Sequence, residues 1–318
     1  MSKLIQAQHD KLFRKVFGKK ENAANLIQEY LPADMSSPIN FKKIQPLPNN
    51  DFGTSLDEHI TDLRFIAPTK DGKNEAMAMI LTEHKSYQDD NVSFQVGIDL
   101  FAGWRTWWIF KGRPNLRIHP LPGPILFILY NGKEPFNLFR FRDLVAKIKG
   151  LEIFVPDFEI WVVDLSKILP EGMKGTPFTR ANLLALKYGG EGTIAKRLPE
   201  IFEPFKDLPV NEEIKENTQD VLTYAESVDE LDTDTVQEAL KFIFPKNEVK
   251  IMTNVMFKDV EARGQAKTII VFLKARFNDV PKEIIQKITS IKSPTKLDAL
   301  AKFIVKCQSL EEFTSKLK

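Results

Sequence analysis

Between residues 58 and 86 the chain carries two β-favouring runs, EHITDLRFIA and EAMAMILTEHKS, around the polar hexapeptide TKDGKN. Ile60, Leu63, Phe65 and Ile66 mark the first, and the second is apolar from Ala76 to Leu81. Asp71-Gly72 supplies a pair that tolerates positive φ at the tip of a tight reversal. The pattern predicts an antiparallel hairpin over 58–67 and 76–85, and a hairpin with a buried face must be covered by other elements.

Helical spacing appears on both sides. Leu12, Phe13, Val16 and Phe17 recur as on one helix face, Gly18 interrupts, and Ala23, Leu26, Ile27 and Tyr30 resume before Pro32, predicting two short helices. The stretch 32–53 reads as loop, with a short strand at FKKI. Phe94, Ile98, Phe101 and Trp108 predict a helix over 91–110, with Phe101 and Trp108 in its core face. A fully buried strand at Ile125–Tyr130, closed by Asn131-Gly132, and another at 158–166 follow. Beyond about residue 178 the signal is helical, over 178–203, 217–244, 249–276, 281–290 and 294–307. The acidic stretch 211–238 reads as a solvated helix face or linker.

At 318 residues the chain exceeds the roughly 100–200 of one domain. The expected fold class is α/β: a mixed sheet flanked by helices over residues 1–178, then a helical C-terminal domain over 179–318. Hydrophobic residues at 43% provide for two cores without staples. Cys307 is the single cysteine, which excludes an intrachain disulfide and a cysteine zinc site and fits a reducing compartment. The N-terminal MSKLIQAQHDKLFRKVF lacks the apolar core of a secretory signal, and PILFILY and IWVV are far shorter than the ~20 residues of a membrane span. A cytoplasmic location is the expectation.

The net charge of +2 is divided unequally: residues 1–150 hold 21 Lys/Arg against 16 Asp/Glu, and residues 151–318 hold 24 against 27. A phosphate-binding surface is therefore expected in the first half. Lys11, Arg14, Lys15, Lys19 and Lys20 form one basic group, and Lys111, Arg113 and Arg117 another that follows Trp104, Trp107 and Trp108. Each also fits an ordinary solvated face.

Four triplets match (D/E)-x-K, at Asp71-Lys73, Glu83-Lys85, Glu213-Lys215 and Glu248-Lys250. Only Glu83-His84-Lys85 ends an apolar strand with an aspartate, Asp62, on the strand before it. Strand alternation directs Glu83 and Lys85 to one face. Two carboxylates can hold a hard cation, and a lysine beside them can orient water and stabilise charge on phosphorus. The same residues also fit a solvated strand end with Asp62 paired to Arg64 or a neighbour, and spacing alone favours that reading. Gly190-Glu191-Gly192 follows a helix rather than a strand and is no dinucleotide fingerprint; no H-E-x-x-H, G-x-S-x-G or P-loop occurs.

The blocks HDKLFRKVF, HITDLRF, LTEHKSYQDD and LPGPILFILYNGKEPF, in this order and spacing, resemble the recombination-promoting nuclease/putative transposase family, a branch of the PD-(D/E)XK superfamily. EARGQAKTIIVFLKARFNDVPKEIIQKI resembles that family's helical tail. The resemblance implies a restriction-endonuclease-like core and hydrolysis of DNA with Mg2+ or Mn2+, in recombination, mobile elements or defence. Asp62, Glu83 and Lys85 become the catalytic set, with Asp62, Glu83 and the His84 carbonyl as metal ligands. The family reads E-H-Q-S where this chain has Glu83-His84-Lys85-Ser86, and lysine is the more general superfamily residue there. Superfamily members often add an acid from the first helix, for which Glu29 is the candidate, while His9-Asp10 reads as structural. A catalytically inactive DNA-binding or protein-interaction module, or an RNase, would share the fold, and the helical C-terminal region is a candidate for homo-oligomerisation.

Overall fold

The computed structural model describes residues 3–47, 63–83 and 91–317. They belong to two compact units, residues 1–231 and 232–318.

The first unit is built on a five-stranded mixed sheet: β1 (Gln45–Pro46), β2 (Leu63–Pro68), β3 (Glu75–Glu83), β4 (Gly123–Tyr130) and β5 (Trp161–Asp164) lie side by side in chain order. β1–β2 and β2–β3 are antiparallel, whereas β3–β4 and β4–β5 are parallel. The connections impose this. The turn at 69–74 is short enough to reverse the chain, and Gly72 adopts φ 72° in it. Parallel pairing of β3 and β4 needs a long crossover, which contains α4 (Val92–Phe110).

Opposed pairs share a face, and here the register assigns them. Met77, Met79 and Leu81 align with Leu126 and Ile128, and these pack with Val92, Val96, Leu100 and Trp107 of α4. Phe65, Ala78, Ile80, Phe127 and Leu129 alternate with them and are buried too, as expected of strands covered on both sides.

The core face of α4 differs from the expected one. Phe101 is 58% exposed, in line with exposed Phe94 and Ile98, while Trp107 is 4% exposed and Trp108 half-buried. The helix is apolar on nearly every side, so spacing alone leaves its orientation open. Close approach selects it. A Cβ at Gly103 would stand 3.1 Å from Met77 Sδ, so the glycine side is the one that reaches the sheet.

Two helices precede the sheet, α1 (Lys3–Phe17) and α2 (Lys20–Tyr30), separated at Gly18 as read; the four-residue α3 (Ala33–Ser36) follows. FKKI is not a strand: Phe41–Lys43 forms a 3-10 turn, and pairing starts at Gln45. The expected strand at 158–166 is confined to β5. The expected helix 178–203 is two, α5 (Pro177–Glu191) and α6 (Ile194–Phe202), because Gly192 takes a left-handed φ of 71° and caps α5. α7 (Glu212–Val228) buries Ile214, Val221, Leu222 and Tyr224 and leaves most of its acids outward.

The unit boundary lies at 231/232 rather than at 178/179. The reason is burial. Every residue of α5 from Ala181 to Gly190 is buried, and α1, α2, α6 and α7 surround the helix, so it completes the core of the first unit.

The second unit is helical as expected, with α8 (Thr233–Leu240), α9 (Lys246–Phe277), α10 (Lys282–Thr289), α11 (Pro294–Ile304) and α12 (Leu310–Ser315). Ala262, Ala266, Ile269 and Leu273 of α9 form its core with Ile288, Leu297, Leu300 and Phe313, and Cys307 is buried among them. Arg276 donates to the carbonyls of Ile304 and Val305 at 2.5 and 2.9 Å, satisfying the free end of α11.

Candidate active site

β2 begins and β3 ends at the same end of the sheet. Leu63 pairs with Ile80, three residues before Glu83, the last residue of β3. Glu83 in turn pairs with Tyr130, and Tyr130 with Asp164, so one row of the sheet runs from Glu83 to Asp164 along the C-terminal ends of its parallel strands. Of the residues assigned from sequence, the backbone of Glu83 is described, and Asp62, His84 and Lys85 lie outside the described residues. Asp62 directly precedes Leu63 in the chain, and His84 directly follows Glu83.

The other (D/E)-x-K triplets have different settings. Asp71 belongs to the hairpin turn, where it accepts from Thr69 Oγ1 at 2.5 Å and from the Lys73 amide at 3.1 Å. Glu213-Lys215 and Glu248-Lys250 lie in α7 and α9, and residues i and i+2 of a helix do not face each other. Glu83 is the triplet acid at a strand end.

Buried polar groups line the C-terminal ends of β4 and β5. Asn131, directly after β4, donates from Nδ2 to the Leu186 carbonyl at 3.2 Å. The Asp164 carboxylate accepts from the Phe136 amide at 2.9 Å and from Ser166 Oγ at 2.6 Å, and pairs with Lys167 at 3.1 Å. Lys187 of α5 donates to the Leu165 carbonyl at 2.8 Å and pairs with Glu191 at 3.0 Å. These bonds tie α5 to the loops after β4 and β5 and make that end of the sheet rigid. Local pattern does not reveal these bonds: Asn131-Gly132 reads as a turn, and Lys187 lies within the apolar run NLLALKY.

Glu29 is exposed on α2, whereas the buried acid of the N-terminal helices is Asp10 of α1. Next to it His9 is fully buried, with Nδ1 2.5 Å from the Tyr224 hydroxyl of α7, and burial pushes that phenol up. Arg64 of β2 is also enclosed, and its Nη2 lies 3.4 Å from Asp99 Oδ1 of α4. Asp99 thus engages Arg64.

Among the described residues no group of three or more His, Cys, Asp or Glu is gathered as a metal site. No helix among them is long and apolar enough to cross a membrane.

Comparison with known proteins adds one match. The family model described as "Putative transposase, YhgA-like" covers residues 7–216, all within the first unit, and the helix containing EARGQAK lies beyond it. No curated protein and no solved structure matches the chain. The match spans well over half of the 318 residues, from the His9-Asp10 block through both strands of the hairpin to the start of α7. The chain belongs to the YhgA-like putative transposase family, which lies in the PD-(D/E)XK nuclease superfamily.

Proposed function

We propose that the first unit is a metal-dependent DNA endonuclease with a PD-(D/E)XK core, whose site is formed by Asp62, Glu83 and Lys85. The observation that carries this reading is the shared sheet end: β2 starts at Leu63, next to Asp62 in the chain, where β3 finishes at Glu83. A helix, an antiparallel hairpin, a crossover helix and a parallel strand in this order support the core assignment, and family membership supports the chemistry.

The donor set suits a hard cation. Asp62, Glu83 and the His84 carbonyl offer oxygen alone, which fits Mg2+ or Mn2+ better than a softer metal. Such an ion, when bound, polarises the phosphodiester and lowers the pKa of a water. Lys85, a point charge with rotatable donors, would orient the attacking water and stabilise the developing charge on the phosphoryl oxygens. Asp62 and Glu83 carry the negative charge that seats the ion. The buried bonds of Asn131, Asp164 and Lys187 restrain the neighbouring strand ends, as a site needing sub-ångström placement requires.

Nicking of supercoiled plasmid tests the reading. Wild type nicks with Mg2+ or Mn2+, and Asp62→Ala, Glu83→Ala and Lys85→Ala each lower the rate by at least about 100-fold, the scale of losing one transition-state contact. Activity that survives all three substitutions refutes the site. DNA binding with no nicking under any metal identifies an idle DNA-binding module instead, and preferential cleavage of an RNA substrate would make the enzyme an RNase.

A further inference from the structure

The opposite end of the sheet carries a second feature. The hairpin turn and the segment after α4 border an open cavity of about 380 Å³ walled by Lys73, Asn74, Trp107, Lys111 and His119, with Glu75 the one carboxylate of its lining. Both Glu75 oxygens are occupied: Oε2 accepts from Trp107 Nε1 and Oε1 from Lys111 Nζ, each at 2.8 Å. Asp71, the other acid of the turn, is bonded to Thr69 and to the Lys73 amide.

Besides the lining Lys73, three cations neighbour lining residues in the chain: Lys70 in the hairpin turn, Arg113 before Pro114 and Arg117 before Ile118. Among the described residues Lys70, Lys73, Arg113 and Arg117 make no ion pair. Arg113 takes a left-handed φ of 58°, unfavourable for a side chain with a Cβ, directly after Gly112 at 76°. Its amide donates to the Trp108 carbonyl at 2.8 Å, and its guanidinium lies over the Trp108 ring at 5.7 Å. Trp108 Nε1 is in turn fixed to the Pro114 carbonyl at 3.1 Å. A strained backbone thus holds a fixed cation one residue before Pro114 of the cavity wall.

We infer that this end of the first unit is a phosphate-binding site that grips the backbone of a DNA duplex. Cations in the lining of an open concavity, and next to it in the chain, match repeating phosphates better than one enclosed anion. The nine residues of β3 span about 26 Å at ~3.3 Å per residue, so this grip and the Glu83 end are separate sites. The choice of DNA as the polyanion rests on the proposed function; the site itself rests on the cavity and its cations.

Binding of the full chain to a fluorescein-labelled duplex of about 20 bp, read by anisotropy in EDTA across roughly 50 to 200 mM KCl, tests it. The variant K70Q/K73Q/R117Q lowers the slope of log K against log salt by about 0.9 for each lost contact and weakens binding at least about tenfold at the lower salt. Glu75→Gln removes the cavity's one negative charge while its amide oxygen can still accept from Trp107, and tightens binding several-fold. An unchanged slope in the triple variant overturns the proposal, as does weaker binding by Glu75→Gln. Inorganic phosphate that raises the thermal midpoint of wild type, with the triple variant's duplex slope unchanged, would make this a small-anion site and overturn it equally. Nicking by wild type and Glu83→Ala reads the hydrolytic site independently, so either reading can fail alone.

Discussion

Gly190→Ala should destabilise the first unit by about 2 kcal/mol, although alanine is the better helix former. In an open helix position the change would stabilise by about 1 kcal/mol. At Gly190, however, an added Cβ would stand 1.7 Å from the Asn131 carbonyl oxygen, where ordinary contact starts at 3.4 Å, so one backbone must move by about 1.7 Å. Neither side yields easily. Asn131 is buried and bonded to the Leu186 carbonyl, and Gly190 is enclosed in α5. Overpacking of this kind costs ~1–3 kcal/mol, and a backbone obstacle belongs at the upper end, which leaves a net loss of about 2 kcal/mol after helix propensity. All four tryptophans lie in the first unit, so urea unfolding followed by their fluorescence reads this unit. The midpoint should fall with the slope unchanged. The displacement also reaches Tyr130, next to Asn131 and paired with Glu83, so plasmid nicking should fall as well. A midpoint at or above that of wild type would refute the close approach of α5 to the end of β4.

Three further outcomes follow from the packing. Gly264→Ala in α9, where an added Cβ meets nothing within 4 Å, should stabilise the second unit by about 1 kcal/mol, read by far-UV circular dichroism in urea; destabilisation would contradict the open position. Asp99→Ala removes one charge-assisted bond to the enclosed Arg64 guanidinium and should cost about 1.5 kcal/mol by tryptophan fluorescence in urea, an unchanged midpoint being evidence against the contact. The Tyr188 hydroxyl, bonded to Glu200 at 2.5 Å, holds that carboxyl below its ordinary range, with Arg197 acting in the same direction against partial burial. A depressed folded value stabilises above the unfolded pKa of about 4.3 and loses that contribution as pH falls through the folded value, so the melting-temperature gap between wild type and Glu200→Gln should be steady near neutrality and close in acid. A gap that widens in acid would reverse the assigned sign.

Local pattern carried much of the architecture. The hairpin around Asp71-Gly72, the break at Gly18, the buried strand before Asn131 and the helices divided by Pro281 and Pro294 are legible because period, turn chemistry and punctuation act over a few residues. The triplet Glu83-His84-Lys85 could be singled out from three similar ones by its place at a strand end, which is again local information. Asp10 was visible as a motif letter, but its burial was not, since an acid near a helix start fits a solvated surface equally well.

What required tertiary structure was every choice among equivalent faces and every contact across long sequence separation. α4 offers two apolar stripes, and only the approach of Gly103 to Met77 selects the one containing Val96, Leu100 and Trp107 over the one containing Phe94, Ile98 and Phe101. α5 reads as one more helix of a helical tail until its enclosure by α1, α2, α6 and α7 places it in the first unit. The bonds of Asn131 to Leu186 and of Lys187 to Leu165 join residues 55 and 22 positions apart, which no periodicity encodes. Hydrophobic spacing records which residues avoid water along one element; which neighbour covers them is decided when all elements pack at once.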